Sequence, residues 1–304
     1  MRRVKTCMVL VTLAAISGGC PSGKVVTGHI VVPVKPVARD ATREELLDSY
    51  NLMARDTKTL NATVELKPTA GSKYSGVIDE YHEVKAFLLA ARPAAVRMIG
   101  QAPVIGTTVF DMASDGDTFR VSIPSKKKFL VGAVAVERAS SKPIENLRPQ
   151  HLLNALLWPE IRKEEAVLLR EFNDENARYY VLTVLRGGYQ VEALREIWFD
   201  RADLQVARMQ TFGPKGVLLS DVRLADWMPA DNAAGPGTAV VPSSSTALFP
   251  RAIRIDRPHD DYKLDLQITK VSLNEEIPAE RFKLEQPVGT ELVRVGEATD
   301  AKQP

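Results

Sequence analysis

The order of apolar and polar positions along the chain divides it into segments. Arg2, Arg3 and Lys5 precede a short, mainly apolar run from Met8 to Ile16, and Ser17-Gly18-Gly19 leads into Cys20. A basic start, a brief apolar stretch and small residues before a cleavage point form the pattern of a secretory signal, expected over 1–19. A bilayer-spanning helix takes about 20 apolar residues, so this run is too short to cross. Residues 20–40 contain Pro21, Pro33 and Pro36, which block regular helix and favour extended backbone. They read as a tether. A helix period then begins at Thr42. Glu45 stands three residues after Thr42, as in a capping box, and Leu46, Leu47, Tyr50, Met53 and Ala54 recur at helical spacing.

From Leu60 the period switches to two. Strands are expected at 60–67, 74–81, 83–91, 95–101, 106–113, 117–123 and 128–134, with Gly71, Pro93, Pro103 and Asp115-Gly116 between them. Asp-Gly between alternating runs is a hairpin signal. A helical insert is expected at about 144–172. Pro149 suits a first helical turn, Leu152, Leu153, Leu156 and Leu157 form an apolar stripe, and a second short helix is expected over 161–172. Strands resume at 177–186, 189–199, 204–212 and 216–226. The segment 229–245, rich in Pro, Gly, Ser and Ala, reads as a flexible loop. Final strands follow at 248–257 and 261–273, and 288–304 reads as a disordered tail. Short turns between consecutive strands predict an antiparallel meander rather than βαβ units. The fold class is therefore α+β, mainly β. Some strands, such as Phe87-Leu88-Leu89-Ala90-Ala91, are apolar on both faces. A sheet buried on both sides needs two covers, and helices and a lipid can each supply one.

Charge and cysteines refine the picture. The formal charge of +2 becomes −1 once the three cations of the signal are removed, which leaves no field that would favour nucleic acid. Only Cys7 and Cys20 are present, and Cys7 lies inside the signal. A lone thiol beside a new N-terminus is out of place in an oxidising compartment. Ser17-Gly18-Gly19-Cys20 resembles the lipobox of bacterial lipoproteins, with Ser17 where that motif usually has Leu. The resemblance implies acylation of the Cys20 thiol and a lipid anchor. The alternative is an ordinary secreted chain cleaved near Gly19. Pro21 after the cysteine points to the outer membrane, facing the periplasm.

Four further stretches carry a resemblance: the helix leading into Thr59-Leu60-Asn61-Ala62-Thr63-Val64; Arg92-Pro93-Ala94-Ala95-Val96-Arg97-Met98; Phe110-Asp111-Met112-Ala113-Ser114-Asp115-Gly116; and Ile268 to Leu284. Together they resemble the LolA/LolB-like superfamily of lipoprotein carriers, receptors and related lipoproteins, over residues 41–287. That resemblance implies a curved antiparallel sheet forming an incomplete barrel, with helices on its concave side and an apolar cavity for acyl chains between them. Strand alternation nominates its lining: Val64 and Leu66; Phe87 and Leu89; Val96 and Met98; Phe110 and Met112; Phe119 and Val121. A slip of one residue inverts such a choice.

No catalytic signature accompanies this pattern. His29, His82, His151 and His259 lack metal-ligand spacing. Ser125-Lys126-Lys127-Lys128 matches SxxK without its companion elements. No phosphate-binding glycine loop occurs in a usable context. The expectation is a non-enzymatic, membrane-anchored envelope lipoprotein without cofactor or metal. It would bind phospholipid or the acyl chains of lipoproteins, in lipoprotein localisation or outer-membrane maintenance. The alternative is an assembly lipoprotein that offers the same fold as a protein-docking surface, with no lipid guest.

Overall fold

The computed structural model describes residues 37–72, 77–80, 82–135, 146–174, 177–188, 191–231 and 247–295. The signal, Cys20, most of the tether and residues 232–245 of the expected loop lie outside them.

Helix α1 spans Arg43–Asp56 and starts on the expected capping box. The Thr42 side chain accepts from the Glu45 N–H, and Glu45 Oε2 accepts from the Thr42 N–H at 2.7 Å. This satisfies two N–H groups that a helix start otherwise leaves open. Leu46, Tyr50 and Ala54, four residues apart, are its buried stripe.

Strand β1 (Thr59–Ser72) follows, then β2 (Val77–Glu80), β3 (Val84–Ala91), β4 (Ala95–Gln101), β5 (Thr108–Ser114), β6 (Thr118–Ile123) and β7 (Lys128–Ala133). Helix α2 (Pro149–Leu156) separates this meander from a second: β8 (Ala166–Asn173), β9 (Arg178–Arg186), β10 (Glu192–Asp200), β11 (Val206–Phe212), β12 (Leu218–Pro229), β13 (Leu248–Arg257) and β14 (Tyr262–Leu273). A last strand, β15, covers Glu291–Val295.

All fifteen form one sheet, ordered β15-β7-β6-β5-β4-β3-β1-β14-β13-β12-β11-β10-β9-β8, with β2 paired to β1. The two meanders join through β1 and β14, remote in sequence, which pair antiparallel from Leu60↔Leu273 to Ala70↔Tyr262. The sheet is curved and does not close into a barrel. Residues of α1 and α2 share one core cluster with one face of both meanders, so the helices fill the concave side. The described residues, from Val37 onward, form one compact unit.

Three expectations are corrected. Residues 166–173 do not continue a helix; they form β8. Leu, Arg and Glu favour helix locally, but the free edge of β9 offers Ala166–Asn173 a full ladder from Ala166↔Leu185 to Asn173↔Arg178. Val167 and Leu169 then pack against the core, and tertiary pairing overrides propensity. Second, part of the expected disordered tail is ordered. Glu291–Val295 pairs parallel with β7, from Glu291↔Lys128 to Val295↔Gly132.

Third, the outer face over β5 and β7 is covered by the chain itself rather than by a lipid. Ala113, Phe129 and Leu284 form a second small cluster with Val131 against it. Arg97 Nη1 donates to the carbonyls of Arg281 and Lys283, both at 3.0 Å, while its Nε and Nη2 grip Asp111 at 3.1 and 2.8 Å. The segment between β14 and β15 is thereby clamped to β4 and β5.

Candidate functional site

The residues nominated from strand alternation fall on two faces. Leu88, Met98, Met112 and Val121 stand opposite one another across β3, β4, β5 and β6. Val64, Ala86, Gly100 and Phe110 make a second row, and Val96, Ser114 and Phe119 a third. Leu66 sits opposite Val84. Val64, Leu66, Val96, Met98, Phe110, Met112, Phe119 and Val121 therefore all point to the concave face.

Phe87 and Leu89 do not. On β3 the inward positions belong to Val84, Ala86, Leu88 and Ala90, and Phe87 is 39% exposed on the outer face beside Lys85. The reason lies in the sequence of β3. Five consecutive apolar residues carry no period-two contrast, so the pattern there does not determine which face is in.

Two glycines make room for aromatic rings on this face. A Cβ on Gly100 would lie 2.3 Å from the Phe110 ring, and one on Gly132 would lie 2.6 Å from the Phe119 ring. The rings lie over the bare backbone of the neighbouring strand. Arg148, from the approach to α2, lies over the Phe119 ring with its guanidinium 4.6 Å from the ring centre.

A roof covers the concave face. It consists of α1, α2 and the strap 157–165 that leads into β8. Leu152, Leu153, Ala155, Leu156, Leu157, Trp158 and Ile161 press apolar surface onto the sheet. Polar ties then fix the strap to α1 and to the turn after β3. Arg92 donates Nε to the Thr57 carbonyl at 2.9 Å and Nη2 to the carbonyls of Ala54 and Trp158 at 2.6 and 2.7 Å. Tyr50 Oη donates to the Pro159 carbonyl at 3.0 Å. Asn51 makes two bonds to the backbone of Ile161, its Nδ2 to the carbonyl and its Oδ1 from the N–H. Arg195 reaches up from β10 to the Glu160 carbonyl and Glu165 Oε2, both at 2.9 Å. Burial pushes the Tyr50 hydroxyl up to about 12, so it stays a neutral donor at any ordinary pH.

Helix α2 is held from its other side. His151 Nδ1 and Tyr262 Oη are 2.5 Å apart, and Gln150 Nε2 donates to the Ala94 carbonyl at 2.8 Å. Desolvation, with the nearby Arg257 and Arg148, holds the His151 pKa well below its ordinary value. The imidazole is neutral here.

The turn between β4 and β5 presents Val104 and Ile105, 95% and 76% exposed. The turn between β6 and β7, at the same end of the sheet, presents Lys126, Lys127 and Lys128, all exposed. At the opposite end, Arg39 N donates to the Arg201 carbonyl at 2.7 Å and Arg201 Nη2 to Asp40 at 2.7 Å, so the folded unit begins beside the β10–β11 turn.

Sequence reasoning missed the ties of the roof. Arg92 belongs to a quoted motif, but nothing in that motif shows that its guanidinium spans to residues 54, 57 and 158. Arg195 left a faint signal, as a charge that shares the parity of Ile197 and Phe199 on β10. Cys20 lies outside the described residues. Among the described residues no three His, Cys, Asp or Glu side chains are grouped to hold a metal ion.

No protein-family model matches the chain, and no curated protein does. Solved structures do. A LolA superfamily protein from Nitrosomonas europaea is 14% identical over 81% of this chain and 99% of its own, with a TM-score of 0.46. A DUF1329 family protein from Desulfovibrio piger is 12% identical over 78% and 94%, with a TM-score of 0.49. A Vibrio parahaemolyticus domain named for outer membrane lipoprotein sorting is 12% identical over 78% and 95%, with a TM-score of 0.46.

Proposed function

We propose that this chain is an envelope lipoprotein, anchored through Cys20 and facing the periplasm from the outer membrane, whose concave face accepts acyl chains of phospholipids or lipoproteins when the roof lifts. It works by sequestration rather than chemistry, in lipoprotein localisation or outer-membrane maintenance. The observation that carries this reading is the way the roof is attached. A broad apolar face lies beneath two short helices and a strap, and the strap is fixed by side-chain bonds to backbone carbonyls rather than by strand pairing. Such bonds are worth about 1 kcal/mol net from the neutral Tyr50 and Asn51 and about 1.5–3 kcal/mol from the arginines, because water replaces them when they open. An acyl chain leaving water gains about 0.8 kcal/mol per methylene. A guest of a dozen methylenes gains about 10 kcal/mol, comparable to the loss of the ties, and so favours the open state. Val104 and Ile105, with the lysines beside them, suit contact with a bilayer interface.

One observation favours the second reading. Val64, Val96 and Met98 are 0% exposed and Leu66 and Met112 1%, so the roof fills the face beneath it. A filled core would serve an assembly lipoprotein that docks a protein partner and never opens. Native mass spectrometry of the chain without residues 1–20, purified from cells, separates the two. Co-purifying lipid, with uptake of a fluorescent fatty acid, is expected. Absence of both, together with a stable protein partner on pull-down, would select the docking reading. The anchor is tested by Cys20→Ala, which is expected to move the protein out of the membrane fraction.

A further inference from the structure

Besides Arg148 over the Phe119 ring, three further arginines reach the concave side, and they differ in what holds them. Arg92 is saturated by three carbonyls of α1 and the strap. Arg195 is committed to Glu160 and Glu165 within the roof. Arg251 is the third. It shares the parity of Phe249, Ile253 and Ile255 on β13, all members of the core, and is itself only 7% exposed. Its Nη2 donates to the Pro229 carbonyl at 2.6 Å and its Nη1 to Asp231 Oδ2 at 3.1 Å. Its Nε, like that of Arg195, is buried and has no acceptor among the described residues.

The partner of Arg251 is unlike the partner of Arg195. The side chain of Asp231 is 46% exposed, against 16% for Glu165. Asp231 stands at the rim of the sheet, held by the Val271 N–H as well as by Arg251. Exchange breaks its bonds to Arg251 and to the Val271 N–H, and the carboxylate, already 46% exposed, regains hydration in return. Arg251 has no such escape, since a buried guanidinium without a counter-charge costs several kcal/mol. The site also adjoins the roof. Pro250, the neighbour of Arg251, pairs with Trp227, whose ring meets Trp158 of the strap edge-on at 6.0 Å. The strap thus reaches the end of β12 and β13 that carries this buried cation.

We propose that Arg251 is the head-group ligand of the concave face: the carboxylate or phosphate of an anionic amphiphile takes the place of Asp231 on its guanidinium while the acyl chain lies along the apolar strands. The exchange is charge-neutral inside the protein, and the unused Nε supplies a further donor to the incoming anion. This rests on the acyl-chain reading above, and narrows it to guests with an anionic head.

The test uses the chain from Pro21 onward, which contains every described residue of the compact unit, and three probes: palmitate, methyl palmitate and palmitoyl lysophosphatidic acid. Arg251→Met is expected to weaken palmitate and the lysophosphatidic acid by about tenfold or more and to leave the ester unchanged, with Arg251→Lys restoring most of the loss. Asp231→Asn, which removes the competing carboxylate, is expected to tighten both anionic probes several-fold. Thermal melts of the variants separate a binding loss from a folding loss, and Asp231→Asn stands as an independent arm should Arg251→Met not fold. Equal binding of palmitate and its ester, or no gain with Asp231→Asn, would overturn the role of Arg251 and leave the acyl-chain reading standing. If no probe binds, the ester included, both fall. A response to palmitate alone identifies a fatty-acid carboxylate as the head, and a response to the lysophosphatidic acid alone identifies a phosphate; either supports the proposal.

Discussion

Tyr50 of α1 and Trp158 of the strap stack face to face, their ring centres 5.6 Å apart and their planes 12° from parallel. Trp227 of β12 meets the same Trp158 edge-on. Helix, strap and sheet are therefore joined through one indole, which also caps its own helix by donating Nε1 to the Ala155 carbonyl at 3.0 Å. Trp158→Ala removes the common member. A cost of about 3–5 kcal/mol is expected from the cavity and lost burial. Amide exchange within 149–165 should rise more than in β1 or β14. Uniform acceleration across the chain would show instead that roof and sheet open as one unit.

Arg92→Met keeps most of the apolar stem and deletes the donors to Ala54, Thr57 and Trp158. Leaving these carbonyls without their shared partner is expected to cost about 2–3 kcal/mol. The variant should take up a fluorescent fatty acid faster than the unaltered chain, because opening the roof no longer breaks these bonds. Slower or unchanged uptake would mean that Arg92 stabilises the fold without restraining the roof.

His151 predicts a pH dependence of known sign. The group is neutral when folded, with its pKa depressed first by desolvation and then by Arg257 and Arg148. Unfolded, it titrates near 6.5. Below that pH the unfolded chain binds a proton that the folded chain refuses, so stability falls on acidification by up to about 1.4 kcal/mol per pH unit. Above about pH 7.5 its contribution is constant. Denaturant midpoints at pH 7.5 and 5.5 measure the effect, and His151→Gln should flatten the difference between them.

The two faces of β3 and β4 predict opposite tolerance. Met98 is 0% exposed and Phe87 39%. Met98→Asp buries a carboxylate among apolar side chains and is expected to cost more than about 4 kcal/mol or to prevent folding. Phe87→Asp places the same charge on the outer surface beside Lys85 and is expected to change stability by about 1 kcal/mol or less. Circular dichroism and thermal melts of the two variants settle the faces. A folded Met98→Asp would contradict the inward placement.

Much of the sheet could be read along the chain. Alternation located most strands, because one face of each is apolar and the other is not, and a period-two pattern survives wherever that contrast holds. Inward placement failed only on β3, where Phe87 to Ala91 offer no contrast. The ends of the sheet were less legible. Ala166–Asn173 has the composition of a helix, and Glu291–Val295 is a five-residue run in what reads as a tail. Both became strands because an existing edge, β9 or β7, supplied hydrogen-bond partners that no local signal announces.

By itself, the sequence determined the capped helix α1, the antiparallel meanders and the apolar rows they carry, since each depends on neighbours within a few residues or on the alternation of a single strand. Tertiary structure alone decided which rows share a face, what covers each face, and which polar side chains hold the roof. The donors Arg92, Asn51 and Arg195 and the acceptors at Trp158, Glu160 and Ile161 lie far apart in the chain, and a hydrogen bond to a backbone carbonyl leaves no imprint on the identity of the residue that accepts it.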